Sequence, residues 1–203
     1  MRPETGNNRP VTDRKVSIQQ PLDGHSFSLP EGPNSLPADA SVEVELLMPR
    51  TLLVPDAACD PAYAEEWFAA CGMPLSAEEC VVTAESRNGC TALIALRCDL
   101  LQRLREKWGE KIRFTTPLLH LPASPQRCVW MARMGGLTYV KLYDSELEFA
   151  DVLPTDDDTE LLYFVERLGG CFPLGEYTLC IGGDDARAVR HLLGKRFKRI
   201  VCE

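Results

Sequence analysis

The sequence predicts an α/β protein of two consecutive halves, each a mixed sheet flanked by helices. Three observations lead to this. Strand-like apolar runs broken by turn residues give way, twice along the chain, to alternating amphipathic helices and strands. The segment "PASPQR" at 122–127, with two prolines and a serine, separates the two series as a linker would. The length of 203 residues and the hydrophobic fraction of 45% allow a core without disulfides or metals. The expected organisation is a flexible N-terminus at 1–13, a first half at 14–121, a linker at 122–127 and a second half at 128–203.

Residues 1–13 are polar and rich in Pro, Asn and Thr, a composition that resists packing. "KVSIQQPLDGHSFSLP" then reads as strand, turn, strand, with Asp23-Gly24 as the hairpin turn. "EGPNSLPADA" is a loop, and "VEVELLMPRTLLVP" returns to strand, broken or bent at Pro49, which cannot donate to a ladder. "DPAYAEEWFAACG" is a helix capped by Asp60, with Pro61 in its first turn and Gly72 at its end. "ECVVTAES" and "CTALIALR" pair around Arg87-Asn88-Gly89. "DLLQRLREKWG" spaces Leu100, Leu101, Leu104 and Trp108 along one helical face and stops at Gly109. "KIRFTTPLLHLP" is a further strand.

The second half opens on "VWMARMGGLTYVKLYDSELEFADVLP", three strands turning at Gly135-Gly136 and near Asp144-Ser145. "TDDDTELLYFVERLGG" is a helix capped by Thr155 or Asp156, its first-turn acids matching the dipole. "EYTLCIGG", "DDARAVRHLLG" and "FKRIVCE" complete the half as strand, helix and strand. Three strands followed by helix, strand, helix, strand is the order of a ribonuclease H-like domain.

The net charge of −8, from 30 acids against 22 Lys and Arg, argues against a chain-wide binder of nucleic acid or of an anionic membrane. The stretch "RHLLGKRFKR" carries six basic residues, counting His191. It reads as a cationic helix end and strand rim, or as a patch for nucleic acid or an acidic partner. "MRPETGNNRP" lacks the apolar centre of a signal peptide, and no apolar run is long enough to span a bilayer, so a cytoplasmic protein is expected. The nine cysteines show no C-x-x-C pair and mostly adjoin apolar residues, so they are expected to be reduced and buried rather than metal-binding.

His25, His120 and His191 have no metal-ligand spacing, and no G-x-S-x-G elbow is present. Of the thiols, only Cys128 and Cys202 have basic neighbours in sequence that could favour a thiolate. The acids of "TDDDTE" read as a solvated helix start.

Two such halves in tandem resemble the actin, sugar-kinase and heat-shock ATPase superfamily. More narrowly, residues 14–203 resemble an uncharacterised Bacteroidetes family of unknown function, through "VSIQQPLDGHSFSL", "TLLVPDAACDP", "LTYVKLYD" and "LCIGGDDARAVRHLL" taken in order. The resemblance implies a nucleotide cleft between the halves. It implies two phosphate hairpins, each with an aspartate that holds the metal ion and a glycine turn whose N–H groups take phosphate oxygens.

Measured against that pattern, the residues diverge. In the first half Gln19 or Gln20 stands where the acid is expected, and Asp23 sits in the turn itself. In the second, "RMGGLT" keeps Gly135, Gly136 and Thr138 of D-x-G-G-x-T but puts Arg133 in place of the aspartate. Gly182 and Gly183 match the adenosine turn in form, but Asp184 and Asp185 follow, where carboxylates suit the helix dipole and repel phosphate. A helix cap with a tight turn explains the same residues.

The expected cleft is therefore vestigial, lined by Gly135, Gly136, Thr138, Gly182 and Gly183, with no catalytic residue, no metal and no required cofactor. The expected role is a non-catalytic scaffold that binds a protein partner or itself. The alternative is an ATP-dependent kinase or ATPase with a non-standard site that includes Asp23 and Arg133.

Overall fold

The computed structural model describes residues 14–19, 42–122, 126–155, 157–183 and 185–203, with the backbone alone at 14–19 and Lys111. Residues 1–13, expected to be flexible, Gln20, Asp23 and Gly24, expected to form a turn, and His25, Asp156 and Asp184 lie outside the described residues.

Strand β1 (Arg14–Gln19) pairs parallel with β2 (Val42–Leu47). The chain then breaks at Pro49, as expected, but the break also changes sheets. Strand β3 (Thr51–Pro55) joins β4 (Glu79–Thr83) and β5 (Cys90–Arg97) in an antiparallel sheet with β5 at its centre. Thr51 Oγ1 donates to the Met48 carbonyl across the corner. Arg50 anchors it, with Nη1 2.5 and 2.6 Å from the two Glu79 carboxylate oxygens and Nη2 donating to the Met73 and Pro74 carbonyls.

Helix α1 (Ala64–Ala70) lies between β3 and β4, and helix α2 (Cys98–Trp108) follows β5. Asp60 Oδ1 accepts from the Ala62 amide at the entry to a 3-10 turn before α1. Strand β6 (Ile112–Thr115) returns to β2 in parallel. The strand expected through residue 122 ends early because Pro117 starts a 3-10 turn at Pro117–Leu119. The strands of residues 42–115 thus divide between two sheets instead of one.

Residues 128–203 build one five-stranded sheet. Strands β7 (Cys128–Met134), β8 (Leu137–Asp144) and β9 (Glu146–Pro154) form the expected antiparallel meander. After helix α3 (Asp158–Cys171), strand β10 (Thr178–Gly183) adds parallel to β7. After helix α4 (Ala186–Leu193), strand β11 (Arg199–Cys202) adds parallel to β10, giving the order β11-β10-β7-β8-β9. The cap of α3 is neither residue expected: Asp157 accepts from the Glu160 amide at 2.9 Å, and the Thr155 hydroxyl is used elsewhere.

Alternation places the core. One face of the five-stranded sheet carries Met131, Val140, Leu142 and Ile181 against Leu161 and Val165 of α3 and Val189 of α4. The other carries Trp130, Leu137, Tyr139 and Cys180 against Leu47 and Leu118 of the preceding elements. In the antiparallel sheet, Ala92, Ile94 and Leu96 of β5 face α2, while Leu93 and Ala95 face Phe68 of α1. The cysteines are all free, but only Cys128 and Cys180 are buried; Cys71, Cys98, Cys171 and Cys202 are exposed. That corrects the expected burial. A thiol beside apolar residues in sequence can still point outward when it falls on the solvent side of a helix or at a strand end.

Candidate functional site

The five residues of the expected crevice lie toward one end of three neighbouring strands, with β7 between the two glycine pairs. Met134 and Leu137 pair across Gly135-Gly136, whose φ values of 59 and 74 give the double positive φ of a tight hairpin turn. On the neighbouring parallel strand, Gly182 and Gly183 lie opposite Ala132 and Arg133. The group gathers where β7 and β10 end, the edge at which open α/β sheets receive ligands.

Each member nevertheless has a structural reason to be what it is. The two turn glycines supply the backbone conformation of the hairpin. Thr138 is fully buried, its hydroxyl 2.6 Å from that of buried Thr155, while the Thr155 amide donates to the Gly136 carbonyl at 2.9 Å. Gly182 faces Trp130, whose Cζ2 and Nε1 would stand 3.6 and 3.8 Å from a Cβ there. Gly183 has φ +85, and a Cβ there would stand 2.8 Å from the Arg133 carbonyl oxygen. Asp185 occupies the N-cap position of α4 without a side-chain capping bond, so the carboxylate cap expected there is not made.

Arg133 decides the electrostatics. Its Nη1 lies 2.7 Å from Asp158 Oδ1 and its Nη2 donates to the Thr155 carbonyl at 3.2 Å, with the side chain only 14% exposed. A cation thus fills the strand-end position, and it is paired with the Asp158 carboxylate. The donor set does not fit a magnesium–nucleotide complex, which needs an unpaired acid or hydroxyl for the ion and open N–H groups for the phosphates. Among the described residues, no three potential metal ligands come together.

This packing predicts a contrast between adjacent glycines. Gly183→Ala should cost about 2 kcal/mol or more, since it combines a left-handed backbone with a carbonyl collision. Gly182→Ala should be near neutral, because its Cβ would meet Trp130 Cζ2 at 3.6 Å, an ordinary contact. Urea denaturation of both variants measures the difference.

A second site, not anticipated from sequence, lies toward the opposite end of the β7–β8 hairpin. Lys141 of β8 is 1% exposed. Its Nζ sits 4.6 Å over the Trp130 ring and 5.9 Å over the Tyr143 ring, and it donates to the His120 carbonyl. Burial lowers the Lys141 ammonium to about 8. Trp130 Nε1 donates to Glu203 Oε2 at 3.2 Å, and the same oxygen lies 3.3 Å from His120 Nε2. Beside this group opens a cavity of about 470 Å³. The signal was present in "LTYVKLYD": a period of two puts Lys141 on one face with Leu137, Tyr139 and Tyr143. The neighbouring thiol Cys128, which has a basic neighbour in sequence, is buried against Cys180 and pushed up in pKa, the reverse of activation.

No protein-family model matches the chain, and no curated protein matches it. Solved structures do. The cytoplasmic domain of EpsL, an inner-membrane component of the type II secretion system of Vibrio cholerae, aligns over 82% of this chain and 66% of its own, at 11% identity and a TM-score of 0.40. A Bacteroides thetaiotaomicron protein of unknown function with an actin-like ATPase fold aligns over 80% of this chain and 68% of its own, at 13% identity and a TM-score of 0.66. No described helix is long and apolar enough to cross a membrane. The likeness to the Bacteroides protein, together with the mixed α/β sheets, shows that this chain has the actin-like ATPase fold.

Proposed function

We propose that the chain is a non-catalytic protein of the actin-like ATPase fold, which works by holding a protein partner or a second copy of itself. In this reading the two halves, 14–121 and 128–203, are tandem ribonuclease H-like units. The strand order of the five-stranded sheet and the parallel run of β1, β2 and β6 support that division. A cytoplasmic setting belongs to the same reading and is supported by nine cysteines without a disulfide.

The observation that carries the proposal is the Arg133–Asp158 pair at the end of β7. It puts positive charge where a metal-assisted phosphoryl transfer would need negative charge, and it engages the Asp158 carboxylate. Gly135, Gly136, Thr138, Gly182 and Gly183 are then the remains of a nucleotide cleft, each kept by packing. Neither ATP nor a metal ion is part of this function.

The test is a thermal-shift titration with MgATP, alongside phosphate release. At millimolar MgATP the melting temperature should not move, since a ligand that binds the native state must stabilise it. A saturable rise of several degrees, with magnesium-dependent hydrolysis, would establish the kinase or ATPase reading instead.

A further inference from the structure

The cavity beside β8 combines a buried cation with apolar walls. Lys141 lines it together with Arg87 and His120, and Leu53, Leu118 and Tyr143 supply hydrophobic surface. An ammonium has three N–H donors. Among the described residues, Lys141 Nζ has one hydrogen-bond acceptor, the His120 carbonyl, and no carboxylate forms an ion pair with it. Two aromatic faces attract the charge but supply no counter-ion. Glu203, bonded to Trp130, acts on this ammonium only from beyond ion-pair distance; burying an ion without an opposite charge in contact is costly, and such groups gather where a ligand completes the balance. The lining is also unbalanced. Among the described residues of the lining, Arg87 and Lys141 face one acid, Glu146, which is exposed. Arg87 lies at the rim, 46% exposed, in an open ion pair with Glu43 at 3.1 Å.

We propose that this cavity binds a small amphiphilic anion, a carboxylate or phosphate with an apolar tail, whose negative group is seated on the Lys141 ammonium. The tail lies along Leu53 and Leu118, and Arg87 at the mouth draws the anion in. A volume of about 470 Å³ is ordinary for a small-ligand site. A lysine suits either headgroup because it acts as a point charge without the planar fork of arginine. The proposal is independent of the glycine crevice, which occupies the other end of the hairpin.

The charge state of the lysine supplies a second signature. The other titratable groups facing it are Cys90 from β5, Cys128 from β7, Tyr143 from β8, and His120, Glu146 and Glu203. Burial pushes Cys90, Cys128 and Tyr143 upward, the last to about 12, so these three stay neutral while Lys141 titrates near 8. Only the protonated amine attracts an anion, so affinity should fall about tenfold per pH unit above 8.

Isothermal titration with hexanoate, hexyl phosphate and hexanol tests the assignment, on the full chain and on Lys141→Met. At least one of the two anions should bind the wild-type protein, with affinity falling from pH 8 to 9.5, and hexanol should not bind. Which anion binds more tightly identifies the headgroup. Lys141→Met should bind at least tenfold more weakly and lose the pH dependence. Failure of both anions at millimolar concentration, equal binding by hexanol, equal binding by the variant, or a flat pH profile in the wild type would each overturn the proposal. The pH profile needs no variant, so the test survives if Lys141→Met does not fold.

Discussion

Trp130→Ala should lower the unfolding free energy by about 3–5 kcal/mol, the range for removing a large buried aromatic side chain. The indole is 2% exposed and stands at the junction of three parts of the molecule. Its ring is 5.5 Å from that of His120 in the segment before β7, and its Nε1 holds Glu203 after β11. On the strand beside it, Gly182 lies next to the edge of the indole, within van der Waals reach of Cζ2 and Nε1. Truncation would open a void between sheets and loosen the seat of the Lys141 ammonium as well. Trp130→Phe keeps an aromatic face and should cost much less. Urea denaturation of the two variants measures both. A loss under about 1 kcal/mol for the alanine variant would mean that the junction can collapse around the gap.

Lys141→Met is expected to stabilise the protein at pH 7, by about 1–3 kcal/mol, because replacing a buried unpaired charge by an apolar chain of similar volume removes a desolvation cost. The lost cation–π contacts and the bond to the His120 carbonyl limit the gain. The sign of the pH dependence follows from the lowered pKa. Between about 8 and 10.5 the unfolded chain still holds the lysine proton and the folded chain has released it. The unfolded state then binds more protons, so wild-type stability from this group rises with pH across that window. The advantage of Lys141→Met should therefore be full below pH 8 and gone by about 10.5. Denaturant midpoints of both proteins at pH 7 and pH 10 check this. A variant less stable than wild type at pH 7 would mean that local attractions already outweigh the burial of the charge.

The two variants concern a site that strand periodicity could have exposed. Reading "LTYVKLYD" with a period of two sets Lys141 among Tyr139 and Tyr143 on an inward face, and a charge at an inward position is itself a signal. What no reading of the strand could supply is the other wall. His120 and Arg87, 21 and 54 positions away, come from beside the 3-10 turn and from the β4–β5 connection, while Glu203, 62 positions on, reaches Trp130 and His120 from the end of β11.

The glycine crevice is the opposite case. Its five residues were legible from their turns, and the parallel pairing of β10 with β7 does gather them. Their meaning was not legible. Gly183 reads in sequence as room for a ligand, whereas in space that room holds the Arg133 carbonyl. Arg133 reads as a reversed charge, whereas its pairing with Asp158 across 25 positions makes it a closure.

By itself, the sequence determined the local order: where helices and strands run, which turns need positive φ, and which faces are apolar. Those properties depend on residues within one or two turns of one another, through alternation, caps and glycine freedom. The tertiary structure alone decided which strands share a sheet, which acid caps α3, that Arg133 is paired with Asp158, and that a buried ammonium lines a cavity. Each of these turns on close approach between distant segments, where a fraction of an ångström or one carboxylate changes the balance of desolvation against pairing.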